Sequence, residues 1–401
     1  MTTPWIRTVI VLTIAQLVSE IGFSFALPFT PLLIQELGVT DLAEVGLWAG
    51  IIAGTFAVAM GGMAPVWGIM ADRFGHRMMI QRAFFGAGAA TLLIYFVQTP
   101  EQLLVLRVLH GAFTGVVTAI ATMVSLTAPR QHMATVLGLL QAAVYFGIAL
   151  GPLAGGAFAD QFGLRAAFAG SGVILILTGI MVTLSVSSPP RAPARTGGVA
   201  GGKSDAPPRE RFLRRELLVV VSLMALARFS QMGPQPFLPL FVQQLVPTQE
   251  GLVTTVGLVL AANGVASTVS ALLIGRVDRR FGRRATLVCC LLVAAVLSAL
   301  QAGVSAVWHL ILLRVVLGLA QGGTGPAIQA LLIDVTPPGR RGAAFGLLTT
   351  ANAAGNGGGP LFGSLVVAGF GVPAVFVATA PPYLLAAWIV ARIRPRPPSA
   401  R

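Results

Sequence analysis

Long apolar runs alternate with short polar segments along almost the whole chain. A helix of about 20 apolar residues crosses a hydrocarbon core about 30 Å thick. Because backbone polar groups inside a bilayer must be satisfied within the chain, each run predicts a membrane-spanning helix. The pattern predicts twelve spans, at residues 8–33, 45–70, 79–97, 102–125, 134–158, 166–187, 217–243, 252–274, 285–303, 307–332, 342–368 and 373–391.

Composition narrows this pattern to a membrane protein. Hydrophobic residues make up 55% of the 401 positions and charged residues 10%, whereas a soluble domain carries about 25% charged residues. The predicted fold class is therefore an all-α membrane protein. The first apolar run is too long for a signal peptide and lacks a small-residue cleavage site, so we expect it to remain as a helix. Cys289 and Cys290 lie inside an apolar run and are interpreted as packing residues.

The net charge of +14 has a strongly uneven distribution. If the N-terminus is cytoplasmic, 23 of the 27 Lys and Arg residues fall on the cytoplasmic side, and only Arg165 falls in an outer loop. The positive-inside rule then predicts a bacterial-type cytoplasmic membrane with both termini in the cytoplasm. This placement disfavours nucleic acid as a partner. The predicted outer loops instead carry the acidic residues Glu36, Asp41, Glu44, Glu101, Asp160 and Glu250.

The halves of the chain resemble each other. Residues 188–216 are rich in Pro, Gly and Arg and predict a cytoplasmic linker between six-helix bundles at 1–187 and 217–401, the second with a short basic tail. A shift of 207 aligns LLVLRVLHG, ending at Gly111, with LILLRVVLG, ending at Gly318. A pseudo-repeat of parallel bundles suits alternating access about a midplane site. A shift of 208 aligns Gly138, Gly147, Gly151, Pro152 and Gly155 with Gly346, Gly355, Gly359, Pro360 and Gly363.

The segment between the second and third spans, GIMADRFGHR, resembles the loop signature of the major facilitator superfamily. The resemblance implies a gating latch between the halves in the outward-open state. The alternative, a turn with ordinary cytoplasmic arginines, explains the arginines but not the whole string. We expect Gly68 to let two helices approach closely and Gly75 to form a tight turn. We expect Asp72 to cap the next helix and to pair with a nearby arginine. The latch residues are Gly68, Asp72, Arg73, Gly75 and Arg77.

The second copy of this segment differs in register. Its acid, Asp278, comes one residue earlier than Asp72 does in the first copy. One residue rotates a helix by about 100°, so Asp278 is expected to point elsewhere.

The fifth span is similar to the glycine–proline pattern of superfamily exporters that work by antiport. Small residues four apart form a groove for a neighbouring helix, and Pro152 offers a place to bend. The segment LPFTPLLIQELG at 27–38 is similar to multidrug exporters of the twelve-helix drug:proton antiporter group, and tetracycline-type exporters share much of it. These resemblances imply export but no particular substrate. The antiporter motif comprises Gly138, Gly147, Gly151, Pro152, Gly155 and Gly156.

Ionisable residues within the spans are functional candidates, because an unpaired charge in a bilayer is unfavourable. Glu20, Arg107, Arg228 and Arg314 lie well inside spans. Arg107 matches the fourth-helix arginine of the family, which the resemblance implicates in proton coupling. A structural hydrogen-bonding role is an equal alternative. Arg314 is the repeat copy of Arg107.

Glu20 lies on a polar stripe formed with Gln16 and Ser24, which we expect to face a central cavity. Arg228 occupies the repeat-equivalent position and is followed on its own stripe by Gln231. Burial favours a neutral Glu20, whereas a nearby arginine favours the charged form. The pair could therefore be a switch that exchanges proton and substrate, or a permanent salt bridge.

Further polar residues within the spans are candidate substrate contacts or interhelical hydrogen bonds. Three buried arginines against one glutamate disfavour lipophilic cations and favour neutral or anionic amphiphiles. These additional candidates are Gln141, Tyr145, Asn263, Gln321, Asn352 and Asn356.

Together these features predict a proton-coupled antiporter that exports small amphipathic compounds, of the multidrug efflux type. The alternatives are a dedicated metabolite exporter and a lipid or glycolipid flippase. No nucleotide-binding loop, metal cluster or nucleophile triad is apparent in the sequence, so an enzyme is not expected. We expect no cofactor or metal besides the coupling proton, and a functional monomer. A sensor with the fold of a transporter is disfavoured, because it would require a sizeable soluble signalling domain and the sequence shows none.

Overall fold

A computed structural model of the protein describes residues 4–186, 215–246, 248, 250–336 and 341–392. Within these ranges the regular structure is helical and no strand occurs, which confirms the predicted all-α fold. The predicted linker falls outside the described residues except for its last two positions, which begin a helix, and so does the basic tail beyond Arg392.

Seventeen α-helices follow one another along the described chain. Five predicted spans, the first, fourth, seventh, tenth and twelfth, each consist of two consecutive helices. In the first half the helices are α1 (Pro4–Ala26), α2 (Thr30–Glu36), α3 (Leu42–Phe74), α4 (His76–Leu93), α5 (Pro100–Phe113), α6 (Val116–Thr127), α7 (Met133–Phe162) and α8 (Leu164–Ser185). In the second half they are α9 (Arg215–Met232), α10 (Leu238–Leu245), α11 (Leu252–Phe281), α12 (Arg283–Gln301), α13 (Val307–Gly322), α14 (Thr324–Val335), α15 (Arg341–Phe370), α16 (Ala374–Ala378) and α17 (Ala380–Arg392).

Eleven helical segments in the described chain are long and apolar enough to cross a membrane. The remaining predicted span, 342–368, coincides with α15, which is a continuous helix of 30 residues. Asn352, Asn356 and a run of glycines lower the apolarity of α15. Small residues in membrane helices serve helix packing more than lipid contact. This helix is therefore the least apolar of the twelve predicted spans.

Aligned prolines interrupt the first and seventh spans at the same place. Pro28 lies in a 3-10 turn at Leu27–Phe29, and Pro236 lies in a 3-10 turn at Gln235–Phe237. Proline has no backbone N–H and clashes with the preceding helical turn, so each span breaks there and resumes as a short second helix.

The chain folds into two compact units, which we call unit 1 and unit 2. They follow the two sequence halves except at the beginnings of α3 and α11. Unit 1 comprises the described parts of Met1–Thr40, Ile51–Arg214 and Thr248–Ala261. Unit 2 comprises those of Asp41–Gly50, Arg215–Pro247 and Ala262–Arg401.

Glycines of α7 bring that helix into backbone contact with α1 in unit 1. A Cβ added at these glycines would overlap the Cβ of Glu20, the hydroxyl of Ser24 and the carbonyl of Phe25. No side chain of α7 therefore separates the two helices along this face. The glycines are Gly147, Gly151 and Gly155.

The repeat-equivalent glycines of α15 do the same in unit 2. A Cβ added there would overlap the Cβ of Arg228, the carbonyl of Phe229 and the carbonyl of Gly233. The partner helix is α9, which corresponds to α1 in the repeat. The glycines of α15 are Gly355, Gly359 and Gly363.

The proline carbonyls on α7 and α15 each lie against a glycine of another helix. A Cβ at Gly257 of α11 would overlap the carbonyl of Pro152 in unit 1. A Cβ at Gly50 of α3 would overlap the carbonyl of Pro360 in unit 2. These two equivalent contacts explain why the beginning of α11 belongs to unit 1 and the beginning of α3 to unit 2.

Asp160, near the end of α7, caps the beginning of α11. Its carboxylate oxygens accept hydrogen bonds from the backbone N–H of Val253, at 3.2 Å, and of Thr254, at 2.8 Å. The first N–H groups of a helix have no partner within the helix, so a side-chain acceptor from a neighbouring element stabilises this end. The repeat-equivalent position holds Ala368, which has no side-chain acceptor, so the cap belongs to unit 1 alone.

Adding one methyl group at Gly155 is predicted to destabilise the protein. The new Cβ of Gly155→Ala would meet the carbonyl of Phe25 and force α1 and α7 apart, at a cost of about 1–3 kcal/mol. Gly138→Ala is the matched control, because no described atom outside its own helix lies within 4 Å of the place of its Cβ. Thermal unfolding of the purified protein should show a lower midpoint for Gly155→Ala only. Equal midpoints for the two variants would contradict the packing described above.

Removing the Asp160 cap is predicted to loosen the beginning of α11. Asp160→Ala leaves the N–H groups of Val253 and Thr254 without their acceptors, which costs about 1–2 kcal/mol. Asp160→Asn keeps one side-chain oxygen and should retain much of the stability. Hydrogen exchange of a peptide covering 252–256 should accelerate in Asp160→Ala and less so in Asp160→Asn. Unchanged exchange in Asp160→Ala would show that the cap does not stabilise this helix end.

Candidate functional site

Glu20 on α1 is a buried carboxyl group with a buried amide partner. The Nε2 of Gln16, one turn earlier, donates a hydrogen bond to Oε1 of Glu20 at 2.9 Å. Gln16 is 1% exposed and Glu20 is 8% exposed. An amide can donate to a carboxyl oxygen whether the group is charged or neutral, so this bond leaves Oε2 as the oxygen that would carry a proton.

Ser24, the third member of the predicted stripe, does not extend this pair. Its hydroxyl lies 2.6 Å from the carbonyl of Glu20, one turn earlier, and 3.1 Å from the carbonyl of Gly147 on α7. Ser24 therefore joins the backbones of α1 and α7. The antiporter-motif glycine Gly147 also lies directly against the Cβ of Glu20. The motif and the side chain of Glu20 are in contact within unit 1.

Arg107 on α5 is 1% exposed and is held by two other spans. Its Nη2 donates to the hydroxyl of Thr30 at 2.8 Å, and its guanidinium lies 5.1 Å from the ring centre of Phe168 on α8. These contacts correspond to the structural hydrogen-bonding interpretation of Arg107. Its role in proton coupling remains a prediction.

His110, one turn after Arg107, is a buried polar residue that the sequence analysis did not single out. Its Nδ1 lies 3.1 Å from the hydroxyl of Thr91, which donates its own proton to a backbone carbonyl one turn earlier. The imidazole must then be the donor in the bond to Thr91. Phe23 stacks on the ring at 5.3 Å, and Phe56 contacts it edge-on at 5.2 Å. In the sequence, the one feature that marks this residue is that a single histidine stands in an apolar run.

Arg228 in unit 2 is half-buried and donates from Nη1 to Oε1 of Gln231 at 3.0 Å. The two residues lie three positions apart on α9, as the predicted stripe requires. Glu20 belongs to unit 1 and Arg228 to unit 2. The switch between them remains a prediction.

Two further buried hydrogen bonds join helices within unit 2. The Nε2 of Gln321 on α13 donates to the hydroxyl of Tyr383 on α17 at 2.8 Å. The Nδ2 of Asn263 on α11 donates to the backbone carbonyl of Arg314 at 2.9 Å. Tyr383 is 1% exposed and was not among the candidates predicted from the sequence. A tyrosine near the end of an apolar run carries no local sign that its hydroxyl is bonded inside the bundle.

The remaining polar candidates have different surroundings. Gln141 is exposed and Tyr145 is partly buried, both on α7. On α15, the side-chain oxygens of Asn352 and Asn356 are shielded from solvent and have no hydrogen-bond partner among the described residues. These four residues remain predicted substrate contacts.

The predicted gating loop is only partly described. Gly75 adopts φ +91° and its repeat-equivalent Gly282 adopts φ +84°, so both loops make the tight turn that glycine permits. The close helix approach expected at Gly68 is not found, since no described atom lies within 4 Å of the place of a Cβ there. The side chain of Asp72 lies outside the described residues. The guanidinium of Arg73 lies 5.4 Å from the ring of the next residue.

The last arginine of each loop joins two helices of its own unit. The Nη2 of Arg77 donates to the carbonyl of Thr183, near the end of α8, at 2.6 Å. The repeat-equivalent Arg284 donates to the carbonyls of Val390 and Ala391, near the end of α17. Arg77 therefore stabilises unit 1 itself, whereas its predicted part in a latch between the halves is untested.

The second loop has an ion-pair network, and the residues that form it are not present at the equivalent positions of the first loop. Arg283 pairs with Asp334, near the end of α14, and lies 3.9 Å from Asp278. The position equivalent to Arg283 is His76, and that equivalent to Asp334 is Thr127. The one-residue offset thus directs Asp278 toward an arginine of its own unit.

Comparison with known proteins agrees with this architecture over the whole chain. A family model described as Major Facilitator Superfamily matches residues 12–247 and again residues 246–401. The chain is 30% identical over 380 residues to Multidrug resistance protein MdtG of Escherichia fergusonii, covering 94% of this chain and 91% of the relative. The protein of the same name from Dickeya zeae is 30% identical over 377 residues, with 94% and 91% covered.

Solved structures show the same fold at low sequence identity. A bacterial homologue of the human lysosomal transporter Spinster, inward-facing and occupied, has a TM-score of 0.78 at 16% identity, covering 98% of this chain and 97% of the other. A D-xylose–proton symporter has a TM-score of 0.78 at 15% identity, with 98% of each chain covered. These relatives and structural neighbours are transporters and not enzymes. The chain therefore belongs to the Major Facilitator Superfamily and is a multi-pass membrane transporter.

Proposed function

We propose that the protein is a proton-coupled antiporter that exports small amphipathic compounds across the bacterial cytoplasmic membrane by alternating access. The observation that carries this proposal is the buried side chain of Glu20, whose carboxyl group accepts a hydrogen bond from Gln16 and whose Cβ packs against the antiporter motif at Gly147. No cofactor is required besides the proton, and one chain suffices.

Glu20 is suited to carry the coupling proton. Among the described residues, no other acidic side chain is buried. Burial away from water favours the neutral form of a carboxyl group, so proton binding at Glu20 and shielding from water stabilise each other. A guanidinium that approaches Glu20 would favour the charged form. Arg228, at the repeat-equivalent position, is the residue proposed to do this when the proton leaves.

The backbone contacts of α1 connect this titration to helix movement. Gly147 and Gly151 place no side chain of α7 toward α1, and the hydroxyl of Ser24 lies within hydrogen-bonding distance of the carbonyl of Gly147. A change in charge at Glu20 therefore acts on a closely packed helix pair. Pro152, in the same helix, lacks the N–H of a regular turn and permits a bend there.

The direction of transport and the substrate class rest on separate observations. Export is supported by the antiporter motif and by the multidrug resistance named for both similar proteins. Neutral or anionic amphiphiles are favoured on the condition that the arginines inside the spans face the substrate, because Glu20 is the only buried acid among the described residues. The clustering of Lys and Arg on alternate loops supports an orientation with both termini in the cytoplasm.

Replacing the carboxyl group of Glu20 by an amide is predicted to abolish gradient-driven efflux. Glu20→Gln keeps the size and the hydrogen bond from Gln16 but cannot exchange a proton at physiological pH. Efflux from energised cells should be measured across a panel of drugs, metabolites and lipids, with and without an uncoupler. Glu36→Gln, an exposed position near the other end of the same span, is the matched control and should retain wild-type efflux.

Two outcomes of this experiment would contradict the proposal. Undiminished, uncoupler-sensitive efflux by Glu20→Gln would remove Glu20 as the essential proton carrier. Wild-type efflux that ignores the uncoupler would exclude proton coupling. The panel also distinguishes a multidrug exporter from a dedicated metabolite exporter and from a lipid flippase. These would transport several drugs, one metabolite and lipids, respectively.

Asp72→Asn is predicted to slow turnover more than it weakens substrate binding. The resemblance assigns Asp72 to a latch that stabilises one transport state, and a latch changes the rate of interconversion rather than the binding contacts. Initial efflux rates at saturating substrate should fall several-fold, with the apparent KM changed less. An unchanged maximal rate would exclude a latch at Asp72.

A further inference from the structure

An open groove in unit 2 follows the first half of α12 and lies beside the end of α17. Its volume is about 720 Å³. One end carries an arginine, and the other lining side chains are apolar apart from one thiol. Leu292 in the groove is 44% exposed although it lies inside a predicted span, so this side of α12 faces lipid tails. The lining includes Arg284, Ala285, Val288, Cys289, Leu292 and Ala391.

Arg284 forms the charged end of this groove. Its Nε donates to the carbonyl of Val390 at 3.2 Å, and its Nη2 donates to the carbonyl of Ala391. These bonds hold the guanidinium beside the groove and leave Nη1 without a bond to any described residue. No described carboxylate pairs with Arg284, whereas the adjacent Arg283 pairs with Asp334. Arg284 therefore presents a fixed positive charge to a ligand in the groove.

The end of α17 marks the level of the membrane surface next to Arg284. Trp388 is 53% exposed, and the guanidinium of Arg392 lies 4.2 Å from the centre of its ring. An exposed tryptophan and an arginine at the end of a span are typical of the membrane–water interface. Arg392 directly follows Ala391, so a second positive charge lies at the same end of the groove. In the proposed orientation this end lies at the cytoplasmic leaflet, where anionic lipids attract basic side chains.

Unit 1 has polar side chains where unit 2 has this groove. Val288 corresponds to Gln81, and Ala391 corresponds to Thr183. In unit 1 the Nε2 of Gln81 donates to the hydroxyl of Thr183 at 3.0 Å, which joins α4 to α8 at this level. Arg77 makes the same backbone tether there as Arg284 does in unit 2. The repeat has therefore kept the arginine and replaced the bridge beside it with small apolar side chains.

We propose that this groove binds an anionic phospholipid. The lipid phosphate accepts charge-assisted hydrogen bonds from Arg284, and one acyl chain lies along Val288 and Leu292. Basic sites between membrane helices at the cytoplasmic side suit anionic headgroups, and the exposed side of the groove admits the chain directly from the bilayer. The inference goes beyond the proposed function, because the ligand is a lipid of the surrounding membrane and not a transported substrate.

Cys289 allows occupation of the groove to be measured directly. It lines the groove and is exposed, and in Cys290→Ser protein it is the one remaining thiol. Purified protein in maltoside detergent is given phosphatidylglycerol or phosphatidylcholine with identical chains, and alkylation of Cys289 by N-ethylmaleimide is followed by mass spectrometry. Phosphatidylglycerol should halve the rate at about one fifth of the concentration that phosphatidylcholine requires, the gain expected from one arginine near an anionic headgroup.

Two variants test the charge and the groove separately, each compared with its own lipid-free rate. Arg284→Gln should bring the two half-protection concentrations within about twofold of each other, because the charge is lost. Val288→Phe fills the groove without altering the bonds of Arg284, and neither lipid should then protect Cys289. Val296→Phe is the matched control, since Val296 is 55% exposed on α12 and lies outside the groove lining. It should keep the wild-type preference, and all variants are compared after eluting as single peaks in size-exclusion chromatography.

Equal protection by the two lipids in the wild type, or an unchanged preference in Arg284→Gln or Val288→Phe, would overturn the proposal. Val296→Cys, in protein carrying Cys289→Ser and Cys290→Ser, controls for general enrichment of phosphatidylglycerol around the protein. A preference for phosphatidylglycerol at that thiol would also overturn the site. Protection that rises with protein concentration and not with lipid would assign the groove to a second copy of the chain and overturn lipid binding. These measurements need no proton gradient, so their failure is distinguishable from a failure of proton-coupled efflux.

Discussion

The packing of this transporter depends on close backbone contact between helices. Lipid tails are as apolar as the side chains that face them, so membrane helices gain little from the hydrophobic effect when they associate. They gain instead from dispersion contacts, which require small residues at the interface. The carbonyls of Pro152 and Pro360 lie against Gly257 and Gly50, and glycines on the same two helices remove the side chains facing α1 and α9. Each unit is assembled through these contacts.

The repeat preserves this packing but changes the polar groups placed on it. Proline breaks and glycine rows recur in both halves, and so do the arginines that join α4 to the end of α8 and α12 to the end of α17. The intramembrane chemistry does not recur: Glu20 corresponds to an arginine, Thr30 to a leucine, and His110 to a leucine. Unit 1 therefore contains a buried acid, and each unit contains a buried arginine with at least one donor that has no partner among the described residues. We interpret unit 1 as the proton side of the mechanism.

Local sequence patterns predicted the spans and the tight turn at Gly75, because these depend on residues near one another in the chain. The side-chain partners were not predictable in this way. Asp160 was assigned only to an outer loop, yet it caps a helix 93 residues later. Tyr383 was not predicted because its bond to Gln321 depends on how α13 and α17 pack. Close approach at Gly68 was expected from the motif, but a glycine in a helix does not specify whether a neighbour lies beside it.

The central claim is that Glu20 exchanges a proton for substrate. Its most direct test is proton release from purified protein in weakly buffered detergent solution, followed with a pH-sensitive dye while a transported compound is added. The account predicts about one proton released per substrate bound by the wild type, as expected for one carboxyl group that titrates on binding. It predicts none from Glu20→Gln under the same conditions. Equal proton release from both proteins would contradict the assignment of the coupling proton to Glu20.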